Sequence, residues 1–408
     1  MKRYQWMGIM LSLVLLLCSC GTDKEVQKKA GESTSTPSAT ASVTPLISED
    51  EAFSEAEKIV KTMTIEQKVG QMFLVDLLQL DASPSVDGTA YKATDSMKQA
   101  IIDYHLGGVY LTKENIKSQK QTKKLVQNLQ ASVVSGSALY VAVEEDGGGE
   151  NSISAKVEDL KDTGYVTPKE MGQNMTANQI YESGKTIAGE LTKIGINLNL
   201  APVADLASDQ NPSYAMRCLG SDADGVADLL DDFVSGMREG GLSVTLKTFP
   251  GIGNVSADVT ESIAENTDSL MTIRDTNFVP YASGIQAGAD CVMVSNAAYS
   301  KLTVKKVPAF MSQDIVTKLL REELGFDGIV MTSPLNDNVI ENNYTNEFAV
   351  VEAVKAGCDL IVLPGNFKEC YEALITAVEE GRIDEKVINT SVRRILQNKI
   401  QRGILVLE

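Results

Sequence analysis

One histidine and one tryptophan are all that 408 residues hold of either type. The tryptophan, Trp6, sits in the first stretch of the chain, so removal of a leader leaves no indole for a stacking platform. Cysteine is also sparse, with six residues and no C-x-x-C spacing, which argues against a zinc site. Cys291 and Cys358 each follow a turn and open an apolar run, so they read as small core residues. With Cys218 and Cys370 they leave disulfide pairing unassigned. Basic residues are outnumbered 37 to 55, for a formal charge of −18. That balance argues against a nucleic-acid partner and against electrostatic docking on anionic lipid.

What is present divides the chain into three parts. Residues 1–19 read as a lipoprotein signal peptide. Lys2 and Arg3 form its charged start, and "MGIMLSLVLLL" is an apolar segment too short to span a bilayer comfortably. "LCSC" follows directly and resembles a bacterial lipobox, which makes Cys20 the expected lipid anchor. Loss of Lys2 and Arg3 takes the formal charge to −20. Residues 20–49 form a Ser/Thr/Pro-rich linker without the apolar content of a core. Residues 50–408 are the expected folded domain. The chain is expected outside the cytoplasm, held to the cell membrane by lipid.

Eight short apolar runs recur in the folded part: "GQMFLVDL", "LGGVYLT", "ALYVAVEED", "NLNLAPVADL", "LSVTLKTF", "CVMVSNAAY", "GIVMTSPL" and "CDLIVLPG". They are continuous rather than alternating, as strands buried on both faces are. Amphipathic helical segments lie between them. "SMKQAIIDYH", "NQIYESGKTIAGELTKIG" and "GVADLLDDFVSGMREGG" end in glycine signals, and "SQDIVTKLLREELG" opens with a serine cap. Eight strands alternating with helices predict a single-domain α/β fold, a (β/α)8 barrel of TIM type. A doubly wound open sheet is the alternative, weakened by the absence of G-x-G-x-x-G after the first strand.

In such a barrel, chemistry gathers at the C-terminal ends of the strands. Those ends carry Asp76, Glu144-Glu145-Asp146, Asp205, Lys247, Asn296, Thr332-Ser333 and Pro364-Gly365. The Lys247 loop, "LKTFPGIGNVSADVTES", is rich in Gly, Asn, Ser and Asp and has no histidine.

These motifs resemble glycoside hydrolase family 3, in its single-barrel β-N-acetylglucosaminidase branch. "VGQMFLV" and "YHLGGVYL" resemble the family's first strand and the approach to its second. "VAVEEDGGGE" sits where the family has Asp-x-Glu-Gly-Gly-Arg. "NLNLAPVADL" and "NPSYAMRCLGSD" resemble its Ala-Pro-Val-x-Asp strand and Arg-x-x-Gly loop. "LKTFPGIG" lines up with Lys-His-Phe-Pro-Gly-His-Gly, and "GFDGIVMTSPL" with the nucleophile strand.

The departures fall on the chemistry that the resemblance implies. The family's aspartate nucleophile, which forms a glycosyl-enzyme intermediate, corresponds to Ser333. Its acid/base histidine corresponds to Thr260, two residues after the retained dyad aspartate, Asp258. Threonine does not exchange protons near neutral pH. Thr248 and Ile252 take the places of two further histidines, Glu144 that of an aspartate, and Gly149 that of a sugar-binding arginine. The one histidine, His105, falls before the second strand, so no His–Asp dyad can form. The resemblance implies substrate contact by Lys247, Arg217, Glu144 and Asp205, and it implies no cofactor. A salt bridge from Lys247 to Asp205 or Glu144 that only holds the mouth together is the structural alternative.

The reading that follows is a catalytically impaired surface lipoprotein that binds N-acetylglucosamine-containing cell-wall glycans. One alternative is an active glycosidase with relocated carboxylates drawn from Asp258, Glu261, Asp337, Glu144 and Asp146. Another is a non-catalytic protein-interaction scaffold.

Overall fold

The computed structural model describes residues 47–133, 138–148 and 166–407, which fall in one compact unit. The leader, Cys20, the linker up to residue 46 and Gly149 lie outside these residues.

Every expected strand forms. They are β1 (Phe73–Asp76), β2 (Gly108–Tyr110), β3 (Tyr140–Val143), β4 (Leu198–Asn199), β5 (Ser243–Phe249), β7 (Cys291–Val294), β9 (Ile329–Thr332) and β10 (Ile361–Val362). All pair in parallel, in the order β10-β1-β2-β3-β4-β5-β7-β9. A parallel bridge between Met331 and Leu360 brings the two end strands together, so the sheet is a nearly closed barrel. Strands β3, β5, β7 and β9 are buried at every residue, which accounts for their unbroken apolar sequence. A second, two-residue pairing joins β6 (Glu265–Asn266) to β8 (Ala298–Tyr299), and links the loops after β5 and β7.

The helices between strands present one apolar stripe to the barrel. Ala177–Lys193 buries Ile180, Ile187, Ala188 and Leu191, and begins with a Thr176–Gln179 capping box. The segment Asp314–Glu323 departs from expectation. It winds with i to i+5 bonding, seen in Leu324 N–H donating to Leu319 O at 3.0 Å, and no side-chain cap opens it, so the expected serine cap does not form.

The last helix, Glu385–Gln401, packs on the first, Glu49–Thr62, and closes the N-terminal end of the barrel. Tyr140 and Ser243 both donate to Asn398 Oδ1, at 2.7 and 2.9 Å. Lys399 is fully buried, donates to Gln71 Oε1 and Gly107 O, and burial lowers its pKa to about 7. His105 belongs to this same end. It sits in the left-handed region (φ 50°) just before β2, with its carbonyl accepting from Gln71 Nε2 at 2.7 Å.

Cys218, Cys291, Cys358 and Cys370 are all free and fully buried. Burial raises each thiol pKa, that of Cys370 to about 12.

Candidate functional site

The C-terminal ends of β3 and β5 meet in a charged cluster. Asn199 on β4 clamps the Glu145 peptide from both sides: its Oδ1 accepts from Glu145 N–H and its Nδ2 donates to Glu145 O, each at 2.9 Å. This fixes the backbone from which Glu144 and Asp146 project. Lys247 Nζ reaches Glu144 Oε1 at 2.6 Å and Asp146 Oδ1 at 2.8 Å, and Lys247 is only 3% exposed. Arg217 joins the same two carboxylates. Its Nε donates to Asp146 Oδ2 at 2.8 Å and its Nη2 bonds Glu144, while its guanidinium lies 5.5 Å from the Tyr214 ring centroid. Burial would raise the Glu144 pKa, but Lys247 and Arg217 outweigh it and lower it to about 2. Two cations and two carboxylates therefore form one neutral network.

Asp205 lies apart from this cluster. The sequence suggests it as a ligand contact and as one partner for Lys247. The structure buries it completely beneath the loop and gives it four donors. Tyr281 O–H (2.9 Å) and Thr248 N–H (3.2 Å) reach Oδ1; Tyr214 O–H (3.0 Å) and Ile252 N–H (3.0 Å) reach Oδ2. Burial still raises its pKa, against the pull of these donors. Asp205 is thus the peg on which the loop after β5 hangs, and the partners of Lys247 are Glu144 and Asp146. The two glycines of that loop are required by close approach. A Cβ on Gly251 (φ 117°) would stand 1.7 Å from Asn277 Nδ2, and one on Gly253 1.8 Å from Leu206 O.

The residues at the two expected reaction positions make local bonds. Ser333, 5% exposed at the end of β9, donates its hydroxyl to Val294 O at 3.0 Å. Thr260 donates through N–H (2.9 Å) and Oγ1 (2.7 Å) to Asp258 Oδ1. The Thr260 turn is tied to the segment after β9: Val339 N–H donates to Thr260 O at 2.7 Å, and Asn338 Nδ2 to Glu261 Oε2 at 2.9 Å.

This stitching sets Asp337 beside other carboxylates. Asn296 Nδ2 donates to its Oδ2 at 2.9 Å. Burial, then the charges of Glu144 and Asp258, with Glu261 adding to them, raise the Asp337 pKa to about 7. The folded chain therefore keeps this proton up to about pH 7, while the ordinary value is 3.8. Between those values the folded state binds more protons than the unfolded one, so stability falls as pH rises through the window and stays lower above it. Asp337→Asn removes that penalty. The variant is expected to come close to the parent in urea melts at pH 4 and to exceed it by on the order of 4 kcal/mol at pH 8.

Sequence reasoning missed Asn199, Tyr214 and Tyr281. Tyr214 stands three residues before Arg217 and shares its short helical turn, which is a usable signal; Tyr281 lies 76 residues from its partner Asp205 and offers none.

Comparison with known proteins gives one family. The model for the glycosyl hydrolase family 3 N-terminal domain matches residues 64–398. Beta-hexosaminidase A of Pseudoalteromonas piscicida is 26% identical over 369 residues, which is 83% of this chain and 61% of that protein. A beta-hexosaminidase of Xylella fastidiosa is 29% identical over 266 residues, 64% of this chain and 77% of the relative. Among solved structures, a family 3 beta-N-acetylglucosaminidase from Paenibacillus superposes with a TM-score of 0.75 at 29% identity, covering 85% of this chain and 64% of that one. The beta-N-acetylhexosaminidase of Beutenbergia cavernae gives 0.71 at 28%, covering 83% and 98%. The chain thus spans under two thirds of the Pseudoalteromonas and Paenibacillus proteins.

Proposed function

The chain belongs to glycosyl hydrolase family 3, and from that premise we propose that it binds N-acetylglucosamine-containing cell-wall glycans at the barrel mouth without the family's covalent chemistry. The observation that carries the reading is a contrast within one site. Lys247 and Arg217 stand ordered at the mouth, held by Glu144 and Asp146. Ser333 has a hydroxyl turned to a backbone carbonyl, Thr260 has no titratable group, and the one histidine lies at the opposite end. Cys20 as a lipid anchor, the Ser/Thr/Pro-rich stretch after it as a tether that ends before the helix Glu49–Thr62 and its Ser48 cap, rather than at residue 49, and an extracytoplasmic location complete the proposal, supported by the lipobox and linker composition.

Calorimetric titration with N-acetylglucosamine oligomers tests it. Binding that Lys247→Ala abolishes is the expected result; absence of binding to the parent protein refutes it.

One observation favours a second reading, an active glycosidase with relocated carboxylates. Glu144 and Asp337 differ in pKa, about 2 against about 7, as a base and an acid would. Under that reading the parent protein turns over substrate and Asp337→Asn abolishes the activity.

A further inference from the structure

The charge at the mouth is not evenly shared. Lys247 and Arg217 are both engaged by Glu144 and Asp146. On the β7–β9 side stand Asp258, Glu261 and Asp337, brought together by the two bonds that tie the Thr260 turn to Asn338 and Val339. Among the described residues, none of these three carboxyl groups forms an ion pair with a basic side chain.

A second, independent feature adjoins Asp337. Asn296 is 1% exposed and its amide nitrogen donates to Asp337, yet its Oδ1 has no hydrogen-bond partner among the described residues. A buried carbonyl oxygen left without a donor loses its hydration uncompensated, so the site lacks a donor at this point. At present a proton relieves part of the crowding, because Asp337 holds one to about pH 7.

We propose that the β7–β9 side of the mouth is an ammonium subsite formed by Asp337, Asn296, Asp258 and Glu261, and that the sugar unit it takes carries a free amine, as a de-N-acetylated glucosamine residue does, rather than an acetamide. An ammonium brings three donors and a positive charge. It supplies Asn296 Oδ1 with its missing donor, pairs with the carboxylates and replaces the Asp337 proton. An acetamide brings one neutral N–H and sets a methyl group against charged oxygens, which it desolvates without compensation. The inference rests on the glycan-binding reading above and narrows its ligand.

The test is calorimetric titration of the purified full chain with a β-1,4-glucosamine tetramer and with its fully N-acetylated counterpart. Each titration is run at about pH 5.5, where the sugar amine is already ammonium and Asp337 still holds its proton, in two buffers of different ionisation enthalpy. The amine tetramer is expected to bind more tightly by about tenfold or more, with net release of protons as Asp337 ionises. Asp337→Asn is expected to erase the proton release, and both Asp337→Asn and Glu261→Gln to collapse the preference to within about threefold. Equal or tighter binding of the acetylated tetramer overturns this inference and leaves the glycan-binding reading standing. Failure of both tetramers to bind overturns both.

Discussion

Incubated with an aryl β-N-acetylglucosaminide, the protein is expected to release the aryl group at the rate of buffer alone. The double variant Ser333→Asp/Thr260→His is expected to exceed either single variant by about 10²-fold or more. The local geometry explains why both changes are needed. The Ser333 hydroxyl donates to Val294 O at 3.0 Å, and a carboxylate has no proton to donate there. An aspartate at 333 is driven away from that carbonyl and toward the mouth. At position 260 the side chain already meets Asp258 Oδ1 at 2.7 Å, so a histidine placed there has a carboxylate to orient it. A nucleophile without a proton donor leaves the leaving group charged; a donor without a nucleophile forms no intermediate. Turnover by the parent protein comparable to that of the double variant would falsify the impaired reading. Its loss on Asp337→Asn would then establish the relocated pair.

Asp205→Ala is expected to destabilise the fold by about 4 kcal/mol, read as a lowered urea midpoint with an unchanged slope. The substitution strands Tyr281 O–H, Thr248 N–H and Ile252 N–H, all buried. Tyr214 keeps a partner in Thr248 Oγ1 at 3.1 Å. Each stranded donor costs about 1–3 kcal/mol, reduced where water enters the space left behind. Asp205→Asn retains one acceptor oxygen and is expected to fall between alanine and parent. A change of under 0.5 kcal/mol in the alanine variant, the range of ordinary surface substitutions, would show that the loop after β5 is held by something else.

The barrel was legible because each strand is a continuous apolar run bounded by glycine or polar residues. The pairing of β6 with β8 was not, since two-residue strands leave no periodicity. Nor was the wide winding of Asp314–Glu323: Ile315, Val316, Leu319 and Leu320 line one face at either pitch. At the mouth, the convergence of strand ends in a barrel identified Lys247 and Glu144 as neighbours, while Arg217 came from the family resemblance alone. Asp205 shows the limit of that logic. A carboxylate at a strand end reads the same whether it faces a ligand or a neighbouring loop. Only the arrival of Tyr281 from a distant helix tells the two apart.

The four buried thiols give the molecule a clock for its own opening. As raised-pKa groups with no exposed surface they form almost no thiolate in the folded state, so alkylating reagents find nothing to attack. They are also dispersed. Cys218 follows the turn that carries Tyr214, Cys291 begins β7, Cys358 precedes β10, and Cys370 lies in the helix Phe367–Glu379. Each modification event therefore timestamps the excursion of a different sector, and the order in which the four react ranks the barrel's sectors from least to most durable.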